Sequence, residues 1–109
     1  MRFTTSEIAT KIKPIAEQYA IPEVYLFGSR ARGDALEASD IDILIKRSGS
    51  SINSAFDLGG LFNDLRNVLG QEVDLVTLES LDATSSRRGR RGFAETVNNE
   101  RVLIYDRYS

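Results

Sequence analysis

Asp40 and Asp42 lie two residues apart in a stretch, Asp40–Lys46, that alternates polar and apolar residues as a β-strand does. On a strand both carboxylates leave the same face, roughly 6 to 7 Å apart along the chain, and each can reach one or two divalent ions lying between them. Two negative charges side by side are unfavourable unless a cation answers them. By itself the pair can also be no more than the polar entrance of the strand, with Asp40 capping a turn after Ser39. Upstream, Gly28-Ser29 closes another apolar stretch, and Ser29–Leu36 has the residues of a turn opening into a short helix. Glycine lets backbone approach a phosphate closely, and the Ser29 hydroxyl with the N–H groups of a helix start can donate to its oxygens. Arg30 and Arg32 add positive charge at the same corner. A Gly-Ser pair taken alone is common in ordinary turns. Asp74, between Val73 and Leu75, is a third candidate acid. The chemistry these residues could do together is that of a divalent cation and a phosphate.

Other chemistry is closed. The chain has no Cys and no His, which excludes disulfides, thiolate zinc sites, cysteine nucleophiles and histidine-based triads. Catalysis must rest on carboxylates, hydroxyls, Lys or Arg, and a metal must be a hard, oxygen-liking ion such as magnesium or manganese. A net charge of −2, from 14 basic and 16 acidic residues, argues against a general nucleic-acid coat protein. Direct nucleic-acid binding is expected only if the run Arg87, Arg88, Arg90 and Arg91 provides it. That run can equally grip a nucleotide or an acidic partner, or be a solvated loop. No apolar run exceeds four residues and no secretion leader is visible, so the expectation is a cytoplasmic protein without a membrane segment. With 109 residues, 41% hydrophobic and 28% charged, it should form a single domain over residues 1–109 with a modest core.

The elements that must position the acids follow from periodicity. Thr4 and Glu7 have capping-box spacing, and Ile8, Ile12, Ile15, Ala16 and Tyr19 share a helical face, with Pro14 expected to weaken the middle. Glu23–Phe27 reads as a strand after Pro22. Asp40–Lys46 puts Ile41, Ile43 and Ile45 on one side, and Asp40, Asp42, Leu44 and Lys46 on the other. Asn53 or Ser54 can cap a helix carrying Leu58, Leu61, Phe62, Leu65, Val68 and Leu69, with Gly70 as terminator. Glu72–Thr77 is a third strand, part of Ala83–Asn99 a further helix, and Val102–Tyr105 a fourth strand. The order describes an α/β domain with helices packed on a small mixed sheet.

Gly28-Ser29, ten residues, then Asp40-x-Asp42 resembles the signature of the DNA polymerase beta-like nucleotidyltransferase superfamily, and Asp74 is similar to its third acid. The runs YLFGSRARGDA and SDIDILI, with the ending ERVLIYD, resemble the minimal nucleotidyltransferases (MNT) of bacteria and archaea that are paired with HEPN toxins. The specific motifs occupy Tyr25–Ile45 and Val73–Val76. The resemblance implies a polymerase beta-like fold in which Asp40, Asp42 and Asp74 hold one or two Mg²⁺ ions on ATP, Asp74 can accept a proton, and Gly28, Ser29 and Arg30 hold phosphates. It further implies transfer of AMP to a tyrosine hydroxyl of a partner HEPN toxin. Two other readings stay open: an antitoxin that neutralises its partner by binding alone, and a nucleotidyltransferase acting on a small molecule or an RNA end. The Ser-rich Arg47–Ser54 and the Arg-rich Arg87–Arg91 belong to no motif of this family.

Overall fold

A computed structural model describes residues 4–27, 41–80 and 101–107. Helix α1, Thr5–Gln18, begins with the expected reciprocal cap: the Thr4 hydroxyl accepts from the Glu7 N–H at 3.1 Å, and the Glu7 carboxylate accepts from the Thr4 N–H at 3.2 Å. Pro14 does not interrupt it. Pro14 is exposed while Ile8, Ile12, Ile15 and Ala16 are buried, so packing of the opposite face carries the helix past a residue that lacks an N–H. Strand β1 is Glu23–Phe27 and strand β2 is Ile41–Ile45. Helix α2, Ala55–Leu69, is capped by the Ser54 hydroxyl, which accepts from the Asp57 N–H at 3.1 Å. It stops where Gly70 takes φ +65°, a left-handed conformation that costs glycine nothing. Strand β3 is Val73–Thr77 and strand β4 is Val102–Asp106.

The four strands form one mixed sheet in the order β3-β2-β1-β4. β1 pairs antiparallel with β2 and β4, while β2 and β3 run parallel, joined through α2 as a crossover must be. Helices α1 and α2 lie on one face, where Ile8, Ile12 and Ile15 of α1 and Leu61, Leu65 and Leu69 of α2 meet Val24 and Leu26 of β1, Ile41, Ile43 and Ile45 of β2, and Val73 of β3.

The face expected to be polar beyond Asp42 is not. Leu44 is completely buried there, in a second apolar cluster with Phe27, Tyr25, Val76 and Leu78. β1, β2 and β3 each contribute an apolar residue at the same level, Tyr25, Leu44 and Val76, and only the sheet brings them side by side. The turn and short helix expected over Ser29–Leu36, the first residue of the Asp40–Lys46 strand, and the helix expected within Ala83–Asn99 lie outside the described residues. No helix among the described residues is long and apolar enough to cross a membrane.

Candidate active site

Asp42 and Asp74 are brought together by strand register. β2 and β3 pair Ile41 with Val73, Asp42 with Asp74 and Ile43 with Leu75. Cross-strand partners project from the same face, and neighbouring strands are about 4.8 Å apart, so the two acids stand side by side. On β1, Phe27 is the partner of Asp42. A row therefore crosses three strands as Phe27, Asp42, Asp74, and it passes from buried through half-buried to exposed. Behind it lies the row Tyr25, Leu44, Val76. The acids stand at the edge of an apolar floor, where low polarity on one side strengthens their interaction with a cation arriving from the other.

The register that makes this pair is tied at the far end of the strands. The Glu79 carboxylate, just beyond β3, accepts the N–H groups of Arg47 at 3.0 Å and Ser48 at 2.8 Å, just beyond β2. Burial pushes the Glu79 carboxyl up, but those N–H donors outweigh it and hold the group below the usual carboxylate range. A slip of one residue would send Asp42 and Asp74 to opposite faces.

Tyr25, in the row behind the acids, is held by contacts of its own. Its hydroxyl donates to Glu23 at 2.7 Å, and the Arg101 guanidinium sits 4.6 Å from the ring centroid. Burial, then the Glu23 hydrogen bond, raises the phenol above its ordinary value. On the helix side of β3, a groove of about 480 Å³ runs between α2 and the strand, lined by Ala55, Leu58, Gly59, Phe62, Val73, Asp74 and Leu75. Leu58 and Phe62, on the apolar helix face that the 3.6-residue period marks, are partly buried: they pack against the core and also line this groove. The signal that could have marked it is Gly59-Gly60 in the middle of an otherwise strong helix.

Asp40, Gly28, Ser29 and Arg30 lie outside the described residues, as do Arg32 and the Arg87–Arg91 run. Gly28 directly follows Phe27, the last residue of β1, and Asp40 directly precedes Ile41, the first of β2. Among the described residues, no group of three or more acids forms a metal site. The donor set offered by Asp42 and Asp74 is oxygen only, and the two like charges are in register; both features fit a hard divalent cation such as Mg²⁺.

A mixed sheet with α1 and α2 on one face and paired acids on neighbouring strands defines a class that comparison with known proteins makes specific. Residues 10–108 match the family model described as polymerase beta, nucleotidyltransferase, and the chain belongs to that family. Among its relatives, the protein adenylyltransferase MntA of Thermococcus cleftensis is 36% identical over 92 residues, covering 84% of this chain and 83% of the relative. A Methanocaldococcus jannaschii protein provisionally named a protein adenylyltransferase is 41% identical over 76 residues, covering 70% of this chain and 80% of its own. The fold is also that of a toxin–antitoxin crystal structure with AMP-PNP, with a TM-score of 0.67 at 23% identity, covering 90% of this chain and 73% of that one. A tri-AMPylated Shewanella oneidensis HEPN toxin in complex with its MNT antitoxin matches with a TM-score of 0.63 at 20% identity, covering 96% and 75%.

Proposed function

We propose that this nucleotidyltransferase transfers AMP from ATP to a tyrosine hydroxyl of a HEPN-type partner protein and silences that partner as its antitoxin. The observation that carries the reading is the in-register pair Asp42 and Asp74, in a chain whose relatives include the protein adenylyltransferase MntA. In this reading residues 1–109 act as one nucleotidyltransferase domain in the cytoplasm, where ATP is at hand.

Asp40, Asp42 and Asp74 are the residues that would hold Mg²⁺. When bound, one or two such ions neutralise charge on the triphosphate and favour the entering and leaving oxygens of an in-line displacement. Gly28 and Ser29 hold the β- and γ-phosphates through backbone and hydroxyl donors, and Arg30 adds charge. Asp74, the exposed member of the pair, faces the acceptor and takes the proton of its hydroxyl. The acceptor oxygen bonds to the α-phosphorus, the α–β phosphoanhydride bond breaks, and pyrophosphate leaves.

The test is intact mass of the HEPN partner after incubation with this protein, ATP and Mg²⁺. Gain of one or more AMP residues is expected with the wild type and none with the double variant Asp40→Asn, Asp42→Asn. A partner suppressed equally by both, with its mass unchanged, would assign neutralisation by binding instead. Labelled RNA or a labelled small molecule in place of the partner would assign the other acceptor class.

A further inference from the structure

The groove beside β3 is built at a cost that no contact among the described residues explains. Gly59 sits in the interior of α2, where glycine is the least favourable residue after proline, and a Cβ placed there would meet nothing within 4 Å. Gly60, next to it, is different: its Cβ would come within 3.2 Å of the Tyr19 hydroxyl, so packing accounts for it. Gly59 instead opens the groove wall between Leu58 and Phe62. Three residues before Gly59 on the same helix, Phe56 is 90% exposed.

The strand on the other side of the groove is the outer one of the four described. The Ile41 N–H donates to the Glu72 carbonyl at 3.0 Å, so Glu72, Asp74 and Val76 direct their main-chain groups toward β2. Val73, Leu75 and Thr77 direct theirs outward, which is the template for an added strand.

We infer that this edge and groove seat an extended segment of the acceptor protein, an inference that rests on the protein-adenylylation reading above. A strand added along β3 alternates its side chains between the two faces of the sheet. The residue opposite Asp74 then projects on the face that carries Asp42 and Asp74, where its hydroxyl meets the acid that takes its proton. The residues before and after it turn to the helix side and enter the groove between Leu58, Gly59 and Phe62. The occupant is thus a segment in which the hydroxyl-bearing residue has an apolar neighbour. Asp74 belongs both to the groove and to the acid pair, so the docking surface is continuous with the reacting centre.

Gly59→Leu and Gly59→Glu fill the groove with good helix formers and touch neither acid. Rates of AMP transfer to the HEPN partner, measured over a range of partner concentrations, are expected to show the partner KM rising about tenfold or more in both variants. The KM for ATP should stay within twofold, and the melting temperature at or above that of the wild type. If the leucine variant aggregates, the glutamate variant carries the test. Mass mapping of the modified partner is expected to find an apolar residue beside the modified one. Unchanged partner KM in the filled variants, or a modified residue with charged neighbours on both sides, would overturn the proposal. A change from dimer to monomer with unchanged partner KM would assign the groove to a second copy of this chain and equally overturn it. Absence of AMP transfer by the folded, ATP-binding wild type would remove the functional reading itself, and this inference with it.

Discussion

Asp42 and Asp74, thirty-two positions apart in the chain, are in-register neighbours on the parallel strands β2 and β3 and project from the same face of the sheet. Side-by-side carboxylates repel, so the protein without metal holds a pair that a cation would relieve. Asp74→Asn is therefore expected to lower AMP transfer by two orders of magnitude or more while leaving the metal-free fold as stable as the wild type or slightly more so. Thermal melting with and without Mg²⁺ checks the cause: Mg²⁺ should raise the melting temperature of the wild type and leave that of the variant nearly unchanged.

The apolar floor behind the acids is a second, smaller core beside the one on the helix-covered face. Leu44 is completely buried there, and truncation to alanine leaves a void beneath the row that carries Asp42. Leu44→Ala should cost about 2 to 5 kcal/mol in urea denaturation, comparable to the same change at Leu61 on the opposite face.

Tyr19, at the end of α1, donates its hydroxyl to Asp64 of α2 at 2.7 Å. That hydrogen bond, then burial, then the charge of Asp64, pushes the phenol up to about 12 from 10.0. A group whose folded value is raised contributes stability in full below its unfolded value, and loses it as pH rises through the folded one. The helix–helix contact should therefore weaken between about pH 10 and 12. Tyr19→Phe should lower the melting temperature at pH 7 and flatten this part of the alkaline decline; an equally steep decline in the variant would contradict the assignment.

Glu79 has the opposite sign. Its carboxyl is held below 4.5 by the N–H groups of Ser48 and Arg47, against the effect of burial. Its contribution is present above 4.5 and is lost as pH falls through the lowered folded value. Glu79→Gln should destabilise by about 1 kcal/mol at pH 7, with the gap from the wild type closing in acid. Since Glu79 ties the ends of β2 and β3, the variant should also lose AMP-transfer rate at saturating substrates beyond what its stability accounts for.

Much of this protein is local and can be read from the chain. The Thr4–Glu7 cap, the apolar stripes of both helices, Gly70 as a stop and the alternation around Ile41, Ile43 and Ile45 each depend on neighbours three, four or two residues away. The sequence reading located them within a residue or two. The family, too, is legible: the spacing of Gly28-Ser29 and Asp40-x-Asp42 resembles its signature, and the family model matches residues 10–108. The tertiary structure decided what depends on pairing. Alternation marks Asp74 as facing away from Val73 and Leu75, but register alone sets it beside Asp42 rather than beside Leu44, and register is set by a parallel crossover and by Glu79 at the far end. Leu44 read as part of a polar face because its own strand places it between Asp42 and Lys46; its burial comes from Phe27, Tyr25 and Val76 on other strands. The period puts Leu58 and Phe62 on the apolar face of their helix, where they do pack against the core, but only the tertiary structure shows that, with β3 the outer strand of the four described, they also wall a groove. A one-dimensional pattern fixes which way a side chain points from its own element, and what it meets there is fixed by elements far along the chain.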